Sequence, residues 1–489
     1  MTRALSLITL LSVTASCAVG PNYKRPEVEV PDRYRAELTP EAAASFADLP
    51  WWEVFEDPAL QALLTQSLAD NRDLQIALQR SEQARQQVTA TRSALLPQIG
   101  YGAQAQRSKY PINLVPSSRQ RFNRFFAGLN SAWEIDLWGR IRRATQAARA
   151  DMLASEANQR GVILSLVSQV STLYFQLLEL DAELLVAQEA SSAFGDTLEL
   201  FNRRYELGVS SKLAVARAAA AHADAQAWIP AIALQITAVE NQLSVLQGGL
   251  PGAIQRGTPL AQQRLPKVPA GLPSALLERR PDVQSAEQGV IATNAQVGVA
   301  IGNFLPRVGL SALWGGASGD LSNLTKGSAN VWNLAGELAG PIFQGGLLYS
   351  QYKAQQAAWE EARSRYEQTA LVAFAEVSDA LTARQRLGEK RIAEQERASQ
   401  LRLAVRLSLA RYEQGLSDYF EVLEAQQDLY PALMDLAETR FEELRSVIDL
   451  YAALGGGWEL GVDWKRQGDS PGEAPAGEAH SDEASPPAS

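Results

Sequence analysis

The chain contains 489 residues, of which 46% are hydrophobic and 20% are charged, and its formal net charge is −10. This acidic balance argues against a nucleic acid partner, because proteins that bind the phosphate backbone present a basic surface. No uninterrupted run of about 18 apolar residues follows the N-terminal segment, which argues against a helical membrane protein.

The N terminus has the pattern of an export signal. Arg3 precedes a short apolar segment that ends in small residues before Cys17. We predict a signal peptide over residues 1–16 and a mature protein that begins at Cys17. As the only cysteine, Cys17 forms no intrachain disulfide, and its setting resembles the lipidation site of bacterial lipoproteins, although Thr14 departs from that motif. A chance cysteine after an ordinary cleaved signal is the alternative. One lipid group binds a membrane only marginally, so anchoring needs a second membrane element.

Most of the chain is internally duplicated. Three pairs of similar segments lie about 208 positions apart and in the same order, which excludes short repeats of about 20–50 residues. We predict a first repeat over residues 57–250 and a second over residues 281–456, each with the order helix, strand, strand, very long helix, glycine turn, helix. The pairs are Asp73–Gln75 with Asp282–Gln284, Leu96–Gly100 with Leu305–Gly309, and Arg204–Ser210 with Arg411–Ser417. The remaining segments are an N-terminal extension (17–56), a proline-rich linker (251–280) and a C-terminal segment with a disordered tail (457–489).

Four segments alternate between apolar and polar residues with a period of two, near residues 98–107, 123–137, 306–315 and 330–342. The second is longer than a typical soluble strand of about 5–6 residues. Long alternation with aromatic residues near the strand ends is typical of an outer-membrane β-barrel, and a half-buried soluble sheet is the alternative. The glycine-rich segment 315–319 is predicted to be a loop. The apolar face includes Ile99, Tyr101, Leu129, Trp133, Val308, Leu310, Trp314, Trp332, Leu334, Leu338 and Ile342.

Four strands cannot close a barrel, and open sheet edges are not tolerated in lipid. If these strands span the membrane, several chains must therefore combine. Two chains would contribute eight strands around a filled interior, whereas three would contribute twelve and leave room for a polar lumen.

The helical segments set the dimensions of the molecule. Residues 139–206 and 345–414 each predict a helix about 100 Å long at a rise of 1.5 Å per residue. Apolar residues of the first form two adjacent stripes with a seven-residue period, which suits a helix packed on both flanks in a ring. Shorter helices near residues 71–96 and 210–247 are predicted to stack end to end to nearly the same length, with Pro230 and Pro431 inside the returning helices.

Three motifs connect the chain with a known family. Pro50–Leu60 resembles the entry segment of the outer membrane factors of bacterial tripartite efflux pumps, and Ala275–Val283 resembles their central signature. Gly20–Pro26 is similar to the lipoprotein branch of the OprM/NodT type. The resemblance covers about residues 17–460 and implies a mainly α protein with membrane β-structure. It further implies a TolC-like homotrimer, whose twelve-stranded outer-membrane barrel is continued by a long periplasmic α-helical barrel.

The resemblance also implies the function and the partners. We expect the outer-membrane exit channel of a tripartite efflux pump, anchored by a lipid on Cys17 and working with a periplasmic adaptor and an inner-membrane RND-type pump. Such a channel passes small toxic compounds or drugs passively, and we expect no enzymatic activity, no cofactor besides the covalent lipid, and no bound metal. The alternatives are the exit duct of a type I protein secretion system and a purely structural periplasmic coiled-coil lipoprotein.

The candidate docking sites lie at the turns after the two long helices. Gly208 and Gly415 are predicted in left-handed conformation, with Ser210 and Ser417 placed to cap the following helices. A plain helical hairpin explains these glycines, whereas the resemblance makes the two turns the tips that dock the adaptor. The docking residues are then Gly208, Val209 and Ser210 in the first turn and Gly415, Leu416 and Ser417 in the second.

The candidate gate follows the second tip. Phe420, Glu424 and Gln427 are spaced to share one helix face, and the resemblance implies that this face, together with Tyr412, holds the inner aperture closed. Gln427 stands where the family has an arginine. Arg217, the first-repeat equivalent of Glu424, is our candidate for the missing positive charge, and an ordinary solvated face is the alternative.

Overall fold

A computed structural model describes residues 18–29, 54, 56–109, 121–265 and 279–456. The predicted signal peptide, Cys17 and the C-terminal tail lie outside the described residues. The helices are α1 (Pro58–Asp70), α2 (Arg72–Ser93), α3 (Arg140–Glu206), α4 (Lys212–Leu246), α5 (Pro281–Gly302), α6 (Leu347–Glu413) and α7 (Phe420–Ala453), and the strands are β1 (Gln98–Lys109), β2 (Arg121–Ile135), β3 (Arg307–Ser318) and β4 (Asn330–Ala339). The predicted mainly α fold with a small β-structure is confirmed.

The four strands form one antiparallel sheet in the order β1-β2-β3-β4, so the two repeats meet where β2 pairs with β3. The register places Tyr101 opposite Leu129, Leu129 opposite Trp314, and Trp314 opposite Trp332. Because directly opposite residues share a face, the apolar alternation of all four strands falls on one side of the sheet. The other side carries mostly polar or small residues. Gly100, Asn130 and Asn333 share one row with the apolar Leu313, and Glu134, Gly309 and Glu337 form another.

Several predicted strand ends are wrong, and local chemistry explains two of them. β2 ends at Ile135 because Asp136 turns the chain, its carboxylate accepting the N–H groups of Ile141 and Arg142 at 3.0 and 2.9 Å. β4 ends at Ala339, before Pro341, which has no N–H to donate to a ladder, so Ile342 is not a strand residue.

The predicted glycine loop is also wrong over most of its length. Residues 315–318 continue β3 and pair with β2, from Gly315 opposite Gly128 to Ser318 opposite Phe125. Pairing with a long neighbouring strand therefore outweighs the low strand preference of glycine.

The two long helices, α3 and α6, have 67 residues each, about 100 Å at the helical rise. They begin one and two residues later than predicted, because Gly139 and Gly346 are left-handed N-cap residues. Residues from both predicted apolar stripes of α3 are buried, and the helix contacts α2, α4, α5 and α7. The buried members are Ile163, Val170 and Leu177 of one stripe and Leu166 and Leu180 of the other.

By length and composition alone, α3 and α4 could each cross a membrane. Half of the most apolar window of α3 is buried within the chain, where it forms the core between the helices. Only 22% of the corresponding window of α4 is buried, so helix packing within the chain accounts for the apolar character of α3 alone.

The described part of the entry segment is a helix cap. Asp57 accepts the Ala59 N–H at 2.9 Å, with Pro58 at the first position of α1. Its other carboxylate oxygen accepts from the Tyr174 hydroxyl at 2.9 Å and from Gln263 Nε2 at 2.7 Å. Asp57 thus connects α1 to α3 and to the described start of the linker. These contacts give Asp57 and Pro58 of the entry segment a structural role.

The short helices stack end to end, as predicted, through equivalent joints in the two repeats. Asn71 Nδ2 donates to the Leu246 carbonyl at the end of α4, at 2.9 Å. Arg280, about 209 positions later, donates to the Ala453 carbonyl at the end of α7, at 3.1 Å. Arg280 also pairs with Asp282 at 2.7 Å and with Glu376 of α6 at 2.6 Å. The central signature therefore joins its stacked helices through the charged side chain of Arg280, whereas the first repeat uses the neutral amide of Asn71.

One buried carboxyl group lies where α3 packs on α7. Burial, together with the nearby carboxylates of Glu183, Glu438 and Glu442, raises the pKa of Glu179 from 4.5 to about 8. Lys390 of α6 pairs with Glu442 at 3.2 Å. Among the described residues no cation pairs with Glu179, whose side chain is 8% exposed, so it remains protonated near neutral pH.

We expect Glu179→Gln to remove a pH-dependent loss of stability. The folded pKa lies above the unfolded one, so the contribution of Glu179 is present below about pH 4.5 and is lost as pH rises to about 8. The melting temperature of the variant relative to the wild type should therefore be higher at about pH 9 than at about pH 5. Glu206→Gln, at the exposed end of the same helix, is the control. A difference that does not change with pH would contradict the burial of a protonated Glu179.

Candidate functional site

Both tips are left-handed glycine turns, as predicted. Gly208 and Gly415 have φ of +74° and +71°. In the first turn the Val209 N–H donates to the Arg204 carbonyl at 2.9 Å, and in the second the Leu416 N–H donates to the Arg411 carbonyl at 2.9 Å. These hydrogen bonds close the helix ends in the six-to-one pattern that a left-handed glycine permits.

The predicted caps are wrong. The N-cap of α4 is Ser211, whose hydroxyl accepts the Ala214 N–H at 3.2 Å, because the closing turn extends the chain one residue beyond Ser210. The N-cap of α7 is Tyr419, which makes no side-chain cap hydrogen bond. The Ser417 hydroxyl is buried and has no hydrogen-bond partner among the residues that the structure describes. The two tips therefore share a turn but not the start of the helix that follows.

The tips expose apolar side chains. Leu207, Val209 and Leu416 are 77%, 62% and 65% exposed. Single exposed apolar residues are ordinary on protein surfaces, and it is contiguous exposed apolar patches that mark contact sites. The two tips thus offer a pair of similar surfaces at one end of the long helices.

A hydrogen bond joins the two helical hairpins one turn from the tips. Arg204 Nη1 of α3 donates to the Tyr412 hydroxyl of α6 at 2.8 Å, and the guanidinium lies 5.7 Å from the centre of that ring. The Arg204 carbonyl belongs to the first tip turn, and the Tyr412 carbonyl accepts the Gly415 N–H of the second at 2.9 Å. We call this contact the latch. The backbone carbonyls of both latch residues therefore also accept hydrogen bonds of the two tip turns.

Aromatic packing supports the latch. The Tyr412 and Tyr419 rings meet edge to face with centroids 4.8 Å apart, and Tyr419 meets Phe201 in the same way at 5.6 Å. The Tyr419 hydroxyl lies 3.1 Å from the Thr197 hydroxyl oxygen. This cluster buries Tyr419 between α3 and α7 and holds the start of α7 against the first hairpin.

Phe420, Glu424 and Gln427 lie on one exposed face of α7, as predicted. Arg217 reaches this face, its guanidinium 5.0 Å from the centre of the Phe420 ring. Within the described part of a single chain, no ion pair joins Arg217 to Glu424. The structure thus places Arg217 at the predicted gate but in a cation–π contact with its apolar member.

The sequence reasoning missed Arg204, Tyr419 and Thr197. The duplication contains a partial signal of the latch, because Arg204 and Tyr205 of the first repeat align with Arg411 and Tyr412 of the second. The contact itself joins Arg204 of the first pair to Tyr412 of the second pair. Among the described residues, no group of three or more His, Cys, Asp and Glu side chains is placed to hold a metal ion.

Comparison with known families gives one matching model. Residues 63–249 and 272–456 match the family described as outer membrane efflux protein. The two matched ranges correspond to the two copies of the duplicated unit.

Named relatives and solved structures cover nearly the whole chain. The chain is 34% identical to the solvent efflux pump outer membrane protein SrpC of Pseudomonas putida, over 94% of this chain and 99% of the relative. It is 30% identical to the cation efflux system protein CusC of Escherichia coli, with the same coverage. The Campylobacter jejuni CmeC outer membrane channel superposes with a TM-score of 0.83 at 27% identity, covering 92% of this chain and 97% of that one. The open state of the Neisseria gonorrhoeae MtrE outer membrane channel gives 0.82 at 29% identity, covering 90% and 99%.

A double-mutant cycle tests the latch. We expect Arg204→Ala and Tyr412→Phe each to destabilise the purified protein in denaturant, and the double variant to lose less than the sum by about 1 kcal/mol, because both remove one hydrogen bond. Tyr205→Phe, the equivalent exposed tyrosine of the first repeat, should have no effect. Additive losses would show that the two side chains do not act on each other.

Proposed function

Because this chain belongs to the outer membrane efflux protein family, we propose that it forms the outer-membrane exit channel of a tripartite efflux pump and conducts its cargo passively. Energy coupling then resides in a periplasmic adaptor and an inner-membrane RND-type pump. The observation that carries the proposal is the four-stranded sheet, which has one apolar face and one largely polar face and is continued by two helices of 67 residues.

The free sheet edges support a homotrimer. Within the described residues, β1 and β4 each pair with one neighbouring strand, so each has one edge without a partner there. Lipid offers these edges no hydrogen bonds, whereas a second copy does. Three copies supply twelve strands, enough for a polar lumen, with the row of Asn130 and Asn333 facing inward.

The helices support the same assembly. Leu234 and Val245 of α4 and Leu371 and Ile392 of α6 are all more than half exposed in the single chain. Side chains of this size on long helices are stabilised when a neighbouring helix covers them. A closed ring of helices from three chains would bury them and continue the barrel into the periplasm.

The gate and the tips support regulated opening. Phe420 and Glu424 of three chains would converge at the inner end of the tube, with Arg217 over Phe420. The adaptor would bind the apolar tips, and the latch would transmit that contact to the start of α7. In the trimer, Glu424 of one chain facing Arg217 of the next remains our proposal for the ionic part of the closure.

The cargo we propose is small toxic organic compounds or drugs. SrpC is named for solvents and CusC for cations. Methionine occurs here only at positions 1, 152 and 434, a low content for handling Cu(I), which prefers soft sulfur ligands. A lipid on Cys17 would add an anchor in the outer membrane.

Accumulation of a fluorescent drug in cells that lack this chain tests the proposal, and unchanged accumulation would favour a protein secretion duct.

Arginine substitutions test which face of the sheet contacts lipid. We expect Leu129→Arg and Trp133→Arg to impair assembly, with a cost of up to about 2–4 kcal/mol near mid-membrane. Asn130→Arg, one position from Leu129 on the opposite face, should assemble normally and shift the ion selectivity of the channel in planar bilayers. Equal assembly defects in all three variants would mean that the sheet does not separate lipid from lumen.

Single-channel conductance tests the gate. We expect Arg217→Ala and Phe420→Ala each to raise the conductance of the purified trimer, and the double variant to add little, because both act on one contact. Lys212→Ala, an exposed cation on the same helix, is the control. If Glu424→Ala is also non-additive with Arg217→Ala, the ionic pair between chains is supported. Fully additive increases would contradict a shared contact.

A further inference from the structure

Residues 18–29, which we call the strap, lie between α3 of the first repeat and α5 of the second, where the sheet passes into the helices. The Val19 N–H donates to the Trp138 carbonyl, immediately before α3, at 3.0 Å. On the other side, Asn294 Nδ2 of α5 donates to the Pro21 carbonyl at 3.0 Å. The strap is therefore held by both repeats.

The strap continues along α5 through a second set of contacts. The Tyr23 hydroxyl donates to one oxygen of Glu287 at 2.9 Å, and Arg25 pairs with the other at 3.0 Å. Val28 packs against apolar side chains of the helical core. The strap thus follows the surface over several helical turns.

Close approach at Gly20 fixes the register of the strap. Gly20 has a φ of +101°, and a Cβ there would lie 2.5 Å from the Gly298 Cα of α5. A side chain at either glycine would separate the strap from the helix. The pair of glycines indicates a built site for this segment.

The central contact is a buried cation whose hydrogen bonds go largely to the strap. Arg143 of α3 is 5% exposed. Its guanidinium donates to the Val19 carbonyl at 3.1 Å, to the Gly20 carbonyl at 3.2 Å and to Asn22 Oδ1 at 2.9 Å. Gln146 accepts a fourth hydrogen bond at 2.9 Å. Among the described residues no carboxylate pairs with Arg143, so oxygens of the strap provide most of its solvation.

We propose that the strap fixes the N terminus of the mature chain to the junction of sheet and helices, and that Arg143 is its positioning residue. A buried guanidinium without acceptors is strongly unfavourable, so the junction and the strap stabilise each other. The consequence for anchoring rests on the proposed lipid at Cys17, one residue before Ala18. A short, fixed connection makes the lipid and the barrel act as one two-point anchor, because the second contact becomes intramolecular.

Limited trypsin digestion of the full-length protein in detergent tests this proposal. The strap contains the bond between Lys24 and Arg25, and proteolysis at such a site follows the population of the open form. We expect cleavage at Lys24 to be at least about tenfold faster in Arg143→Ala than in the wild type. The matched control is Arg149→Ala, which removes an exposed arginine of the same helix and should leave the rate unchanged.

A second variant keeps the test informative if Arg143→Ala folds poorly. Asn294→Ala removes a donor from the opposite helix and should accelerate the same cleavage without changing the guanidinium. Equal rates for the wild type, Arg143→Ala and Asn294→Ala would contradict the proposal.

The lipid is tested separately with radiolabelled palmitate. In Arg143→Ala, trypsin should move the label to a fragment that ends at Lys24, whereas in the wild type this fragment should carry little label. In Cys17→Ser the label should be absent while Lys24 stays protected. Palmitate label on Cys17→Ser would contradict Cys17 as the lipid site but would not affect the proposal for the strap. Faster trypsin cleavage at Lys24 in Cys17→Ser would contradict Arg143 as the positioning residue.

Discussion

The constraint on which this structure depends is that a backbone N–H or carbonyl group cannot remain unpaired in lipid. In the part of the chain that the structure describes, four strands satisfy it at their three internal pairings, and β1 and β4 each keep one open edge. The duplication leaves the problem unsolved, because joining two hairpins gives a sheet that still has two edges. Closure must come from further copies, and the exposed apolar residues on α4 and α6 add a second reason for the same assembly. A long tube is thus encoded by a chain that cannot form it alone.

The two repeats share an architecture and have diverged at its joints. Asn71 and Arg280 occupy equivalent positions, and each donates to the last carbonyls of the helix stacked on it. The second joint adds ion pairs to Asp282 and to Glu376, so the charged version lies in the repeat that carries the proposed gate. At the tips the divergence creates the latch, because Arg204 of one repeat bonds Tyr412 of the other. The two copies therefore share an architecture but differ in the contacts at their joints and tips.

Much of the fold could be predicted because it depends on long-range periodicity. The alternation of the strands and the seven-residue stripes of α3 repeat a pattern many times, and the glycine turn recurs once in each repeat. The family resemblance that they accompany is confirmed. Single-residue expectations were less secure. Ser210 as a cap was wrong because the turn needed one more residue, and the strand ends depended on Asp136 and Pro341. Arg204, Tyr419 and the Arg143 contacts with the strap join segments far apart in sequence, so no local pattern could reveal them.

The central claim is that copies of this chain close the sheet by pairing β1 of one with β4 of the next. Native mass spectrometry of the protein extracted from outer membranes in mild detergent tests it most directly. The account predicts one dominant species of three chains, which dissociates to monomers when the sheet is unfolded by heat. A dominant monomer or dimer in the extracted membrane form would contradict it, because neither provides the strands needed to enclose a polar lumen.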